Sequence, residues 1–443
     1  MPMPMPIRRP FCCLLVLATF CGAPPVRAVE PAAPAWLGDA ARSIAPRVVE
    51  WRRDFHRHPE LGNQEVRTAQ RVADHLRELG LEVRTGIAVT GVVGVLRGGR
   101  PGPVVALRAD MDALPVTERA DVPFRSTVTT EYRGEKVGVM HACGHDGHTA
   151  ILMGVAEVLA RHRAELPGTV LFVFQPAEEG GPDGEIAGAP RMLAEGVFAD
   201  PKPGAVFGLH LWSALNANQV GYRKGPVMAA VDTIRIVVNG TQTHGARPWG
   251  GVDPIVAASA IVTSLQTVVS RETDITRYPA VVSVGSIKGG IRHNIIPDSV
   301  EMLGTVRTFD PVVREQVIAD IRRTVEHVAT AHGATARLEV QEDGSPALFN
   351  DPVLVERTLP ALEQVAGAGN VVEVPYVTAA EDLAHVARVV PTFYFFVGST
   401  PVGRDAATAP SNHSPLFYVD ESSLDLGLRV LVAATLDYLE GAD

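Results

Sequence analysis

Cysteine is scarce in this chain of 443 residues: there are four, and Cys12, Cys13 and Cys21 all fall at the N-terminal end. They lie in a segment with the pattern of an export signal. Arg8 and Arg9 precede an apolar run from Phe11 to about Ala23, and Val26-Arg27-Ala28 puts small residues three and one before a cut. Phe20 is too bulky to precede a lipidated Cys21. Removal of residues 1–28 leaves Cys143 as the sole thiol, which excludes an intramolecular disulfide and predicts an exported protein, periplasmic or secreted. Long apolar runs are also lacking. The stretch ending near Ala23 is shorter than the ~20 residues a bilayer requires, and no other span is expected, so no membrane association should remain once the signal is gone. Nor is there a basic excess. With 40 Lys and Arg against 50 Asp and Glu, the formal charge is −10 and the pI about 5.8, which excludes a general nucleic-acid or anionic-membrane binder. No internal repeat or low-complexity tract follows the signal.

With 46% hydrophobic and 20% charged residues, the chain can bury the cores of two or more domains. Ile44, Val48, Trp51 and Phe55 mark one face of a helix stopping near His58-Pro59, and a second helix is expected from about Gln64 to Leu79, ended by Gly80. Gly91 to Leu96, Val104 to Arg108, Thr169 to Phe174 and Ala205 to Leu211 read as strands, with a helix from about His148 to Arg161 between them. Unbroken apolar strands alternating with helices predict an α/β domain, a mostly parallel sheet with helices on both faces. From about Val227 the order becomes strand Thr233 to Val238, helix Asp253 to Ser270, strands Ala280 to Ile287 and Ser299 to Arg307, helix Pro311 to His332 and strand Thr335 to Gln341. That is the β-α-β-β-α-β order of a ferredoxin-like α+β unit. The expected organisation is therefore a first domain from 29–226 and 343–443, interrupted by an inserted domain at 227–342. Strand Thr392 to Val397 and a helix from Ser422 to Leu439 would complete the first.

The chemistry concentrates in Met140-His141-Ala142-Cys143-Gly144-His145-Asp146-Gly147-His148 and, about thirty residues on, Gln175-Pro176-Ala177-Glu178-Glu179-Gly180. Sulfur, imidazole nitrogen and carboxylate oxygen together form a transition-metal donor set. If the segment is extended, Cys143 and His145 share one face, able to grip one centre or two neighbouring ones. Glu178 and Glu179, if extended, point apart, so that one could hold metal while the other serves as a base toward water. Taken alone, the glutamate pair would read as a solvated acidic turn. His210 sits in the apolar run Gly208-Leu209-His210-Leu211-Trp212, where a lone histidine is more often a satisfied core group. His413, in Ser411-Asn412-His413-Ser414-Pro415, could equally be a loop residue.

Further stretches sit in order around these: Arg53-Asp54-Phe55-His56-Arg57-His58-Pro59-Glu60-Leu61-Gly62, Leu107-Arg108-Ala109-Asp110-Met111-Asp112-Ala113-Leu114-Pro115, His244-Gly245-Ala246-Arg247-Pro248, Asn294-Ile295-Ile296-Pro297 and Gly304-Thr305-Val306-Arg307-Thr308-Phe309-Asp310. Together they make the chain resemble the di-metal aminoacylase and carboxypeptidase superfamily, in the branch of hippurate hydrolases and plant indole-acetyl-amino-acid hydrolases. The resemblance covers essentially the whole chain after the signal. It implies a catalytic domain carrying two divalent metal ions per subunit, interrupted by a lid domain that usually makes a homodimer. It implies Cys143 as a bridging ligand, with His145, Glu179, His210 and His413 as further ligands and Glu178 as general base. His244 matches a lid histidine that reaches the partner subunit's site and stabilises the tetrahedral oxyanion. Asn294 and Arg307 match positions that recognise a free carboxylate, and Asp110 matches an aspartate that orients a ligand, although it could simply form the turn at a strand end. The thiolate favours zinc, and ligand type leaves manganese, cobalt or nickel open.

Two departures from that pattern are visible. Gln242 and Thr243 precede His244, with Trp249 following, where relatives carry glycines and a further histidine; and Ala380-Glu381-Asp382-Leu383 stands where Ser-Glu-Asp-Phe is usual. Neither removes a ligand, and both could reshape the acyl pocket. The expected activity is metal-dependent hydrolysis of the amide bond of N-acyl-amino acids, hippurate-like small molecules with a free carboxylate. The rivals are an exported carboxypeptidase or dipeptidase and a metal- or ligand-binding protein without catalysis, against which the intact Glu178 speaks.

Overall fold

The computed structural model describes residues 34–181, 185–341 and 344–441. The export signal at 1–28 and the domain boundary at 342–343 lie outside the described residues. Helical spacing at the start of the chain becomes α1 (Trp36–Arg57), which buries Ile44, Val48 and Phe55 along one face. Then follow α2 (Val66–Glu78), β1 (Glu82–Ile87), β2 (Gly91–Arg97), β3 (Arg100–Asp110), α3 (His145–Arg161), β4 (Pro167–Gln175), β5 (Ala205–Asn216) and β6 (Val220–Tyr222). Strand β1 carries Glu, Arg and Thr and has no fully buried residue, so it shows no apolar alternation by which the sequence could reveal it.

The middle of the chain builds β7 (Ala230–Asn239), α4 (Pro254–Thr267), β8 (Val281–Gly289), β9 (Ser299–Thr308), α5 (Pro311–Ala331) and β10 (Thr335–Val340). These strands form one antiparallel sheet in the order β8-β9-β7-β10, the ferredoxin-like arrangement expected from the element order. Both helices cap their N-termini with an aspartate whose carboxylate accepts two backbone N–H groups, Asp253 for α4 and Asp310 for α5. Contrary to the expectation of no further span, Pro254–Glu272 is long and apolar enough to cross a membrane. Here Ala257, Ile261 and Leu265 are instead buried against Val300, Met302 and Ile321 of this unit's own core.

The chain returns through α6 (Pro352–Ala366), β11 (Val371–Glu373), β12 (Thr392–Thr400) and α7 (Ser422–Glu440). The large sheet runs β1-β2-β4-β3-β5-β12-β6-β11, and its four central neighbours β4, β3, β5 and β12 are mutually parallel. All nine residues of β12 are buried. Its odd and even side chains enter two cores: Phe393 and Phe395 meet α1, α3 and α7 on one face, while Tyr394 and Phe396 meet Met192, Leu383 and Val386 on the other. Burying each phenylalanine contributes roughly 1.5–3 kcal/mol. The second face is covered by short helices, Gly188–Ala194 and Ala384–Ala387, rather than long ones. The carboxyl ends of the parallel strands thus converge on one edge, where open α/β sheets bind ligands.

Candidate metal centre

Gly144, between Cys143 and His145, is not extended. Its φ of 99° and ψ of 10° turn the chain, and α3 begins at His145 rather than near His148. A side chain at position 144 would adopt this left-handed backbone only at a cost of roughly 1–2 kcal/mol. The turn, rather than strand alternation, brings the Cys143 Sγ to 3.4 Å from His210 Nε2 and 3.3 Å from His413 Nε2. Glu178 and Glu179 are likewise in a turn, entered through Ala177 at φ 50°, and Glu179 Oε1 stands 2.9 Å from His413 Nε2. His210 lies within β5, which continues to Asn216, rather than near a strand end.

Among the described residues, two donor sets contain Cys143, one with His145 and His210 and one with Glu179 and His413, the donors in each lying within 4.8 Å of one another; His145, Glu178 and Glu179 form a further such group between them. The Nδ1 of His210 donates to the Leu211 carbonyl at 2.9 Å and that of His145 to the Asp112 carbonyl at 2.9 Å, which leaves each Nε2 with its lone pair toward the site. One buried atom of the set, His145 Nε2, has no hydrogen-bond partner among the described residues, and Glu179 Oε1 has only His413 Nε2, at 2.9 Å. An orphaned atom of this kind is costly unless a cation takes it, so the residues fit two divalent ions sharing one thiolate.

The electrostatics of the ion-free centre divide the imidazoles: against the burial that lowers it, the charges of Asp110 and Cys143 hold His145 well above its usual range, so that a cation would have to displace its proton, whereas His210 is ready to bind. Burial, reinforced by the neighbouring charge of His148, holds the His210 imidazole well below its usual range and therefore neutral, as a ligand must be. Burial and the Glu179 charge push the Cys143 thiol up, a cost that a coordinated cation reverses by deprotonating it. Hydrogen bonds to Cys143 and Glu179 push His413 up to about 10. Glu178 is held well above the usual carboxylate range by burial and by the charges of Glu381, Glu179 and Asp382.

The orienting bonds differ from those expected. It is Asp112 that holds His145, with Oδ1 3.2 Å from Nδ1, and its Oδ2 accepts the Glu179 N–H at 2.9 Å. Asp110 instead binds His148 Nδ1 at 2.6 Å, and His148 Nε2 accepts the Leu211 N–H at 2.8 Å, bracing β5 beside His210. Asp110 comes no nearer to His145 Nε2 than 3.7 Å. The residue count explains the difference: Asp110 ends the strand pointing toward α3, and Asp112 lies two residues beyond it, over the turn. Asn412 was not singled out from sequence. Its amide donates to the Cys143 and Leu211 carbonyls, each at 3.0 Å, and so ties three separate segments together beside His413, whose own φ is 70°.

Arg307 shares a cleft of about 640 Å³ with Cys143, Glu178, Glu179, His210 and His413. The guanidinium is half-buried, burial lowers its pKa, and among the described residues no side-chain hydrogen bond or ion pair to it is found. Trp212, Met228 and Val231 give the cleft an apolar side. His244 and Asn294 do not line it. They adjoin each other instead, through the pairing of Thr243–His244 with Ile295–Ile296 and a Gly245 N–H to Asn294 carbonyl bond of 2.8 Å. His244 is exposed.

Residues 106–437 match the model of Peptidase family M20/M25/M40. Thermostable carboxypeptidase 2 of Saccharolobus solfataricus is 39% identical over 392 residues, 88% of this chain and 95% of that protein. N-acetylcysteine deacetylase of Bacillus subtilis is 37% identical over 403 residues, 90% of this chain and 99% of that protein. Among solved structures, the Bacillus subtilis YXEP protein, described as a dinuclear metal binding peptidase, superposes with a TM-score of 0.75 at 34% identity over 90% of this chain and 99% of its own.

Proposed function

The chain belongs to peptidase family M20/M25/M40, whose members hydrolyse amide or peptide bonds, and on that premise we propose that it cleaves N-acyl-amino acids, with Glu178 as general base. The observation that carries this reading is the placement of a half-buried guanidinium, Arg307, in the same cleft as Cys143, Glu179, His210, His413 and Glu178. Arginine's planar fork suits a substrate's free carboxylate, and the apolar side formed by Trp212, Met228 and Val231 suits an acyl group. Cys143, His145, Glu179, His210 and His413 would hold the ions. The chemistry such ions supply when bound is polarisation of a carbonyl and acidification of water. Glu178, with its affinity for protons raised by its surroundings, takes a proton from water and returns it to the leaving amine.

A peptidase reading has its own support in the likeness to the Saccharolobus carboxypeptidase and the Bacillus dinuclear peptidase. Rates on hippurate-like substrates and on dipeptides, compared under one set of conditions, separate the two. Retention of the parental rate by a folded, metal-loaded Glu178→Gln variant would falsify both.

The reading extends to residues of the antiparallel unit as a lid. Its exposed His244, outside the cleft of its own chain, suits delivery to a second subunit's site as an oxyanion donor, with Asn294 beside it for the carboxylate. A homodimer in light scattering, with His244→Ala losing kcat and keeping its metal, is the expected outcome; a fully active monomer would sink it. The export pattern of residues 1–28 supports a periplasmic or secreted location, which N-terminal sequencing of the mature protein tests.

A further inference from the structure

Beside Glu178 a buried polar cluster reaches the wall of the cleft through Glu381 and Asp382. Arg108 at the end of β3 donates to Asp110 at 2.7 Å, Glu381 at 2.9 Å, Asp382 at 3.1 Å and the Gln175 side-chain carbonyl at 3.0 Å. Tyr394 donates its hydroxyl to Glu381 at 2.7 Å. Asp382 occupies the middle. Its carboxylate accepts both contacts of the Gln175 amide at 2.7 and 2.8 Å and the Ala189 N–H at 2.7 Å, and its own backbone N–H donates to Glu178 Oε1 at 3.3 Å. Gln175 is the last residue of the strand before the Glu178 turn, and Ala189 lies in the first turn of the short helix after it. Gly188 makes the close approach possible, because a Cβ there would stand 2.1 Å from Asp382 Oδ2.

We propose that Asp382 is a positioning residue for Glu178: its carboxylate clamps the chain on both sides of the glutamate turn while its N–H aims the Glu178 carboxylate. This rests on the reading of Glu178 as the base. The geometry demands a carboxylate, since one group satisfies donors from Gln175, Ala189 and Arg108 together. An asparagine has a single acceptor oxygen and would turn an NH2 toward one of these donors. Glu381 acts on the same clamp from the other side, with Arg108 held between it and Asp382. The turn to be held also has a cost of its own, because Ala177 sits at φ 50° immediately before Glu178.

The test uses the metal-loaded enzyme and an N-acyl-amino acid. Asp382→Asn should lower kcat about 10- to 100-fold, the range seen when outer hydrogen-bond partners of a site are removed, with KM little changed. Metal content should stay at the parental value and the protein should remain folded at the assay temperature. Combining it with Gln175→Glu restores that one contact, because the new carboxamide then donates to the new carboxylate, but leaves Arg108 or the Ala189 N–H facing the NH2, so kcat should recover in part. The proposal is overturned if Asp382→Asn keeps kcat within about twofold of the parent, or loses it only in proportion to metal or folded protein. It is overturned equally if the double variant regains thermal stability without kcat. Glu178→Gln is assayed in parallel. Its retention of the parental rate would overturn the base reading and this one with it, whereas its inactivity beside a fully active Asp382→Asn overturns this one alone.

Discussion

The Nδ1 of His145 faces Asp112 twice, at 2.9 Å from its carbonyl and 3.2 Å from Oδ1, while the same aspartate takes the Glu179 N–H on Oδ2. One residue therefore sets the tautomer of a ligand in one donor set, chiefly through its backbone carbonyl, and the backbone of a ligand in the other through its carboxylate. Asp112→Ala keeps the carbonyl and removes the carboxylate, so it should weaken the ion held through Glu179 about 10- to 100-fold and the ion held through His145 less, read by chelator competition. An unchanged affinity for the ion held through Glu179 would show that the Asp112 carboxylate does not orient that half of the centre.

Cys143 is common to both donor sets, whereas His413 belongs to one. Cys143→Ala should accordingly bring metal content from two ions per chain toward none, and His413→Ala should bring it toward one, by elemental analysis after dialysis. A chelator should lower the melting temperature of the parent protein, since ions that bind only the folded state stabilise it by mass action. Two ions retained by Cys143→Ala would remove the bridging role.

Much of this was legible because the relevant physics is local. Asp253 and Asp310 precede helices with Pro at the first position, and the four-stranded sheet and the central strands of the larger one could be drawn from periodicity, whereas the three-residue strands β6 and β11 are too short to show any. The donors Cys143, His145, Glu178 and Glu179 were visible by type. Their geometry was not. An extended chain was the natural assumption, and two left-handed residues, Gly144 and Ala177, replace it with turns. Asn412 and Asp382 stayed hidden for a different reason. Each acts through contacts about 200 residues or more away in sequence, where spacing carries no signal. Strand β1 was missed because an edge strand with polar, exposed side chains looks like a loop.

Arg307 is desolvated in the cleft and pairs with no carboxylate among the described residues. Arg307→Gln should therefore raise KM for an N-acyl-amino acid by ~10- to 100-fold, the worth of a charge-assisted hydrogen bond, with a smaller effect on kcat. Arg307→Lys should recover only part, because an ammonium does not reproduce the two-pronged contact. A substrate whose carboxylate is amidated should be hydrolysed poorly by the parent and should discriminate little between parent and variant. Equal KM values for parent and Arg307→Gln on the free acid would remove the carboxylate assignment.

Glu65 gives a prediction in pH. Its carboxylate accepts the Thr90 hydroxyl at 2.6 Å and the Ala177 N–H at 2.8 Å, on the turn that carries Glu178. Burial, with the Asp112 charge nearby, pushes it up to about 7 from an ordinary 4.5. Because the folded value lies above the unfolded one, the fold favours the protonated acid. That stabilisation is complete below about pH 4.5 and is lost as pH rises through about 7. A glutamine at 65 stays neutral throughout; its carboxamide oxygen can keep the Ala177 N–H, and the Thr90 hydroxyl can turn to accept from the amide. Measured by denaturant unfolding of metal-free protein, the stability of Glu65→Gln relative to the parent should therefore improve with rising pH, by on the order of 2–3 kcal/mol between pH 4.5 and 8, and level off beyond. A difference that stays constant across that range, or that moves in the opposite direction, would mean that Glu65 is ionised in the fold and that the glutamate turn rests on a charged brace.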